Sequence, residues 1–92
     1  MPALSAEEAN RKLAALPDWK IISGELTRTF QFKDFRASLT FVNQVGELAE
    51  EAGHHPDIDI RYNRVRLGLV THDEGGITTK DFDLAAQAQK LT

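Results

Sequence analysis

The chain has 92 residues, 41% of them hydrophobic, which predicts one domain with a single core over residues 1–92. Its 11 basic and 14 acidic residues give a formal net charge of −3, which argues against direct nucleic-acid binding because phosphate recognition needs concentrated Lys and Arg. The absence of cysteine excludes disulfides, thiolate nucleophiles and cysteine ligands of zinc. We expect a cytoplasmic protein with no signal peptide and no membrane contact.

The first elements in chain order are a helix and two strands. Ser5 and Glu8 form a capping-box pattern, which predicts a helix over about residues 6–15. Strands are predicted over residues 19–23 and 25–32, with a turn at Ser23 and Gly24 between them. Arg28 shares a face of the second strand with apolar residues, which indicates an edge strand or a face that is only partly buried.

A second helix is predicted over about residues 35–52. Asp34 is a suitable N-cap, and Gly53 suits the position that follows the last helical residue. The apolar residues of this helix form a wide stripe: Phe35, Leu39, Phe41, Val42, Val45, Leu48 and Ala49. So wide a stripe predicts burial on more than one side, with part of it facing another subunit.

The next two strands should form a hairpin. Residues 57–62 alternate between polar and apolar side chains, and residues 65–70 do so less strictly. If Asn63 and Arg64 form a two-residue turn, the numbers of paired residues sum to 127. This register places apolar residues opposite each other, as Ile60 with Leu67 and Ile58 with Leu69.

The chain ends with a loop and a third helix. Residues 73–76 are predicted to form the loop, and Thr78 with Asp81 is a capping pattern that opens a helix ending near Leu91. The predicted order is therefore α-β-β-α-β-β-α. This order defines an α+β fold, a four-stranded antiparallel sheet with three helices packed on one face.

The only three histidines of the chain are predicted to meet. Extending the hairpin register places His55 opposite His72, and the Cβ atoms of directly opposed residues lie about 4.5–5.5 Å apart. His54 is adjacent, and Pro56 interrupts the pairing because it has no N–H to donate. We expect the histidines at one end of the hairpin, with His55 and His72 on the face that a ligand can reach.

Such a cluster can transfer protons or bind a metal ion. Imidazole titrates near neutrality and serves as general acid or base. Three imidazoles with an open coordination position also form catalytic zinc sites. Because neighbouring residues in an extended segment point to opposite sides, His54 and His55 do not easily reach one ion. The spacing therefore favours proton transfer, and a metal site or a loop without function are the alternatives.

Several segments of the chain are similar to one protein family. They are Glu50-x-x-x-His54-His55-Pro56, Thr71-His72, Asp81 before the last helix, Leu16-Pro17-Asp18-Trp19 and Tyr62-Asn63-Arg64-Val65. Together they resemble the pterin-4a-carbinolamine dehydratase family over about residues 4–91. No departure from the family's pattern occurs at the motif positions.

The resemblance implies an enzyme that removes water from 4a-hydroxytetrahydrobiopterin and gives quinonoid dihydrobiopterin. This reaction serves tetrahydrobiopterin recycling. The pterin is then the small-molecule substrate, and neither a metal nor an organic cofactor takes part. The resemblance also implies a homodimer or homotetramer joined through sheet edges and helices. Animal members of the family have, in addition, a protein partner for which they act as dimerisation cofactor.

The resemblance also implies roles for individual residues. His54 and His72 would be the catalytic proton-transfer groups, and His55 would bind and orient the pterin. Glu50, one turn before the end of the second helix, would hold or polarise His54.

Two further residues have competing interpretations. Asp81 is expected either to act in catalysis or to cap the third helix. Trp19 is expected either to flank the bound pterin or to belong to the core. A function of another class is also open, namely a protein-binding module that stabilises a partner's dimer through the exposed part of the wide helix stripe.

Overall fold

The computed structural model describes residues 2–92 and contains the predicted elements in the predicted order. They are α1 (Ala6–Leu13), β1 (Lys20–Ile22), β2 (Glu25–Gln31), α2 (Phe35–Ala52), β3 (Asp57–Arg61), β4 (Arg64–Leu69) and α3 (Thr79–Gln89). A short 3-10 turn, His72–Glu74, overlaps the loop predicted over residues 73–76. The strands form one antiparallel sheet in the order β1-β2-β4-β3, with the helices on one face. The predicted α+β fold is confirmed.

The helices begin where their capping residues predict, and α2 also ends as predicted. The Ser5 backbone N–H donates to the Glu8 carboxylate (3.0 Å), and the Ser5 hydroxyl accepts from the Glu8 N–H (3.1 Å). The Asp34 carboxylate accepts from a backbone N–H in the first turn of α2 at 2.9 Å. Gly53 follows α2 with a φ of 61°, a left-handed conformation that favours glycine. The predicted bounds of α2 are confirmed, whereas α1 ends two residues earlier than predicted and α3 ends at Gln89, before the predicted end near Leu91.

Of the two alternatives for β2, the edge position is wrong, because β2 pairs with both β1 and β4, whereas a face that is only partly buried agrees with the 20% exposure of the Arg28 side chain. Its turn to β1 is as predicted, with positive φ values at Ser23 (51°) and Gly24 (79°) that suit a tight hairpin. Arg28 faces the helices without burying its charge completely. Its guanidinium lies over the Phe30 ring, 4.2 Å from the centroid, and donates to Gln89 Oε1 at 2.8 Å.

The predicted register between β3 and β4 is wrong by two residues. The turn consists of Tyr62 and Asn63, so Arg61 is opposite Arg64 and the paired numbers sum to 125. Tyr62 has a φ of 53°, and the sequence pattern did not reveal this left-handed residue. A shift of two preserves which side chains share a face but changes every opposed pair. Ile58, for example, lies opposite Leu67.

Contacts with Phe32, which directly follows β2, hold the turn in this position. The Phe32 N–H donates to the Asn63 carbonyl (2.8 Å), and the Asn63 side-chain amide donates to the Phe32 carbonyl (3.0 Å). These residues are 31 positions apart in the chain, so the contact depends on tertiary structure. One consequence is that His55 does not lie opposite His72. β4 ends at Leu69, before His72.

The core lies between the sheet and the helices. Its buried side chains are Ala9, Leu16, Trp19, Leu26, Phe30, Phe41, Val45, Val65, Leu67, Leu69, Ile77, Phe82, Leu84, Ala85 and Ala88. The wide stripe of α2 is buried only in part, since Phe35 is 45% exposed and Leu39 is 39% exposed. Among residues 2–92, no helix has the length and apolar character needed to cross a membrane.

Candidate active site

After the end of α2, the side chains of His54 and His55 point in different directions. After Gly53 the chain becomes extended towards β3, and the His54 backbone N–H donates to the Ala49 carbonyl at 3.1 Å. Successive side chains of an extended segment point to opposite sides. The His54 side chain is accordingly 11% exposed and contacts α3, whereas the His55 side chain is 63% exposed and contacts α2.

His54 forms a pair with the buried carboxylate of Asp81. His54 Nε2 lies 2.5 Å from Asp81 Oδ1, and Asp81, in the first turn of α3, is 0% exposed. The second carboxylate oxygen, Oδ2, accepts from the Thr71 hydroxyl (2.9 Å) and the Thr78 backbone N–H (2.9 Å). These donors compensate the burial of a charged group. The predicted capping role of Asp81 is confirmed, and the same residue contacts a histidine, whereas its role in catalysis stays a prediction.

The other ring nitrogen of His54 remains open. Nδ1 makes no hydrogen bond to residues 2–92. It is also not sealed from solvent, since no buried side-chain nitrogen or oxygen in this part of the chain lacks a partner. One nitrogen is therefore fixed by a carboxylate while the other can meet water or a ligand. This arrangement suits a group that accepts and donates protons.

The predicted contact of Glu50 with His54 is wrong. Glu50 Oε2 lies 2.5 Å from His55 Nε2 instead, with both side chains largely exposed. The reason is that the Glu50 side chain lies on the exposed side of α2, whereas the His54 side chain is mostly buried and contacts Asp81 of α3. Glu50 can therefore orient His55, and an exposed pair of this kind contributes little to stability.

His72 is exposed at the start of the 3-10 turn, and its side chain makes no hydrogen bond within the described part of the chain. It directly follows Thr71, whose hydroxyl holds Asp81. Because β3 begins where β4 ends, the structure places all three histidines at the same end of the sheet. His54 and His72 are joined through Asp81 and Thr71, and not through opposed strand positions.

The structure does not bring Trp19 to the histidines. Its side chain is 2% exposed, packs edge-on against Phe30 at 5.8 Å between ring centroids, and donates to Gln89 Oε1 at 3.2 Å. Gln89 lies eight residues after Asp81, about 12 Å along α3. Trp19 therefore has the position of a core residue, and the candidate site does not include it.

Two contacts of the site had little or no signal in the sequence. The Thr78-x-x-Asp81 capping pattern located Asp81 but not its contact with His54. Nothing near Thr71 indicated that its hydroxyl reaches a carboxylate ten residues later. Within residues 2–92, no three His, Asp or Glu side chains are placed to hold one metal ion.

The fold and the site together define a small α+β protein with an imidazole–carboxylate pair at one end of an antiparallel sheet. The chain matches the model of the family described as Pterin 4 alpha carbinolamine dehydratase over residues 2–91, and it belongs to this family. A relative from Acidobacterium capsulatum is 56% identical over 91 residues, covering 99% of each chain. A relative from Chloroflexus aurantiacus is also 56% identical, covering 99% of this chain and 98% of its own. Both are provisionally named pterin-4-alpha-carbinolamine dehydratase.

Solved structures share the fold. The crystal structure of a transcriptional coactivator/pterin dehydratase from Brucella melitensis has a TM-score of 0.93 and 36% identity, covering 97% of each chain. A pterin dehydratase-like protein that is a RuBisCO assembly factor in the alpha-carboxysome has a TM-score of 0.65 and 23% identity, covering 79% of this chain and 84% of its own. This second likeness shows the fold alone.

Proposed function

We propose that this chain converts 4a-hydroxytetrahydrobiopterin to quinonoid dihydrobiopterin and water, as a step in tetrahydrobiopterin recycling. The observation that carries the proposal is the His54–Asp81 pair, which holds Nε2 at 2.5 Å and leaves Nδ1 open. Membership of the family supports the dehydratase class. We also propose a cytoplasmic location, because a chain without cysteine has no need of an oxidising compartment.

The reaction needs one proton donor and one proton acceptor. The substrate carries a hydroxyl group on carbon 4a, next to a ring nitrogen. The lone pair of that nitrogen forms the new C=N bond while the C4a–O bond breaks, and an acid protonates the oxygen so that it leaves as water. A base then removes a proton from a ring nitrogen. No net oxidation occurs, and imidazoles can perform both transfers near neutral pH.

The residues of the site divide this work by position. We assign proton transfer to His54 and His72, and binding and orientation of the pterin to His55. Glu50 orients His55 through their contact of 2.5 Å, and Asp81 positions His54. The proposed reaction requires neither a metal nor an organic cofactor.

A direct assay tests this assignment. Dehydration of freshly generated 4a-hydroxypterin, followed by stopped-flow absorbance, is expected to be fast with the wild type. In the His54→Ala, His72→Ala double variant it is expected to fall by about 10²–10⁴-fold, the range of acid–base catalysis. Asn43→Ala, at an exposed position of α2, is the matched control. A folded double variant with full activity contradicts the mechanism, and a wild type without activity contradicts the dehydratase itself.

The alternative metal enzyme predicts a different response to chelation. His54 and His55 contact separate carboxylates, which does not favour joint binding of one ion. We therefore expect the full rate after exhaustive chelation. A rate that disappears with the chelator and returns with an added divalent cation contradicts this expectation.

A protein-binding role is the second candidate function, and it is favoured by exposed apolar side chains on the wide α2 stripe. Phe35 and Leu39 border a cleft of about 370 Å³ together with Tyr62, which is 65% exposed. This surface suits a homodimer or homotetramer, or a partner protein whose dimer it stabilises. Size-exclusion chromatography with light scattering tests the first option: Leu39→Glu should reduce the oligomer, and Glu47→Gln, exposed on the same helix, should not.

A further inference from the structure

Two threonine hydroxyls lie behind the Asp81 carboxylate, outside the reach of any ligand. Thr71 is 2% exposed and Thr78 is 1% exposed, and their hydroxyl oxygens lie 2.8 Å apart. The Thr71 hydroxyl is also 2.9 Å from Asp81 Oδ2. The Thr78 hydroxyl accepts the backbone N–H of Lys80 at 3.3 Å.

These contacts allow only one direction for the hydroxyl protons. An ionised carboxylate accepts and cannot donate, so the single proton of the Thr71 hydroxyl must point to Asp81. Thr71 then has only a lone pair to offer Thr78, and Thr78 must be the donor of that bond. The chain of donors runs from Thr78 to Thr71 to Asp81, and such chains strengthen each bond by polarisation.

The position of the carboxylate, which these bonds stabilise, determines the tautomer of His54. Oδ2 of Asp81 already receives the Thr71 hydroxyl and the Thr78 N–H, and these two bonds hold the carboxylate at contact distance from His54; either oxygen of an ionised carboxylate would accept there. The oxygen in front of His54 Nε2, Oδ1, therefore requires a donor there. In the neutral ring the proton is then on Nε2, and the lone pair is on the open nitrogen, Nδ1.

From this geometry we infer that Nδ1 of His54 is the atom that exchanges protons with the ligand, and that Thr71 and Thr78 are positioning residues which hold Asp81 where its carboxylate selects this tautomer. As a base, Nδ1 takes the proton of a pterin ring nitrogen. The N–H bond of the pterin breaks, and His54 becomes an imidazolium facing the carboxylate. His54 returns this proton to solvent before the next turnover. The pterin comes from the proposed function, whereas the tautomer can be measured independently of it.

Nuclear magnetic resonance of the ring nitrogens tests the tautomer in the full chain. With ¹⁵N-labelled histidine, at a pH where the rings are neutral, wild-type His54 is expected to carry its proton on Nε2 alone. Thr71→Val removes the hydroxyl and keeps the shape, so the carboxylate is held less firmly beside His54 and the second tautomer should become detectable. Thr71→Ser should restore the single form. Thr27→Val is the matched control, because Thr27 is also buried (5% exposed) but donates to the Glu25 carbonyl at 3.1 Å.

Kinetics provide a second, independent readout. Thr71→Val is expected to lower kcat about 10-fold, less than the roughly 10²–10⁴-fold of a lost acid–base group, and to leave KM nearly unchanged because Thr71 does not touch the ligand. Thr71→Ser should recover most of kcat. A merely structural role would lower the fraction of folded protein without changing the tautomer or the kcat of the folded molecules.

The possible outcomes separate this inference from the proposed function. A wild-type His54 with its proton on Nδ1 overturns the inference, and this measurement needs no substitution that could prevent folding. A folded Thr71→Val with unchanged tautomer and kcat also overturns it. If the tautomers behave as expected and the wild type does not dehydrate the pterin, the proposed function fails and the positioning by Thr71 remains.

Discussion

Replacing Asp81 with asparagine should reverse the protonation of His54. The amide keeps the shape of the carboxylate but offers one acceptor oxygen and one NH₂ group. Two donors, the Thr71 hydroxyl and the Thr78 N–H, converge on the position of Oδ2, so the amide oxygen is expected there. The NH₂ group then faces His54 Nε2, which must become an acceptor. The proton of the neutral ring moves to Nδ1, and the open nitrogen loses its lone pair.

The size of the effect follows from the hydrogen bonds of Asp81. Three bonds to an ionised carboxylate become neutral bonds, and charged bonds contribute about 1 kcal/mol more than neutral ones. After allowance for relaxation we expect a loss of about 2 kcal/mol in the free energy of unfolding, or a Tm lower by about 8–16 °C for a domain of this size. The expected fall in kcat is larger, about 10²–10⁴-fold, because the base is in the wrong tautomer.

Three measurements check this prediction. Thermal and urea unfolding give the stability, stopped-flow dehydration gives kcat, and ring-nitrogen resonances give the tautomer of His54. Asp83→Asn is the matched control, because Asp83 is an exposed carboxylate two residues later in α3. The control should change stability by less than about 0.5 kcal/mol. A folded Asp81→Asn protein with the wild-type kcat would refute the reasoning.

Three further substitutions test other parts of the structure. Glu50→Gln weakens an exposed contact with His55, so it should raise KM and change stability by less than about 0.5 kcal/mol; an effect confined to kcat contradicts the orienting role. The backbone N–H of Ser5 holds the pKa of the Glu8 carboxyl below its ordinary value. The contribution of the Glu8 carboxylate to the free energy of unfolding is therefore fully present above the pKa that Glu8 has in the unfolded chain. It is lost as the pH falls through the lower pKa of the folded chain. The Tm difference between wild type and Glu8→Gln should thus shrink towards acid pH, and a growing difference contradicts this. Gly53→Ala should cost about 1–2 kcal/mol, measured by urea unfolding, because φ is 61° there; an unchanged midpoint contradicts the strain.

Local chemistry made the helices and one hairpin predictable. Capping joins side chains and backbone groups three residues apart, so Ser5 with Glu8 and Thr78 with Asp81 carry their structure in the sequence itself. The positive φ at Gly53 likewise follows from its residue type and its position after α2.

Register and side-chain partners depended on contacts between distant residues. The hydrophobic alternation of the β3–β4 hairpin is equally satisfied by registers that differ by two residues. Its turn is fixed by the bonds of Asn63 to Phe32, far away in sequence. The predicted pairing of His55 with His72 is wrong for this reason, although both still lie at the predicted end of the sheet.

The sequence by itself determined the α+β fold, the family, and the residue types of the candidate site, because these depend on periodicity, caps and motifs. Tertiary structure decided which carboxylate serves which histidine. Asp81 is 27 residues from His54, and only the packing of α3 beside the end of α2 brings them together. The same packing buries Thr71 and Thr78 against the Asp81 carboxylate and leaves Nδ1 of His54 without a hydrogen-bond partner in the described part of the chain. The burial of the carboxylate and the orientation of the His54 ring are properties of the folded chain, and no local sequence pattern encodes them.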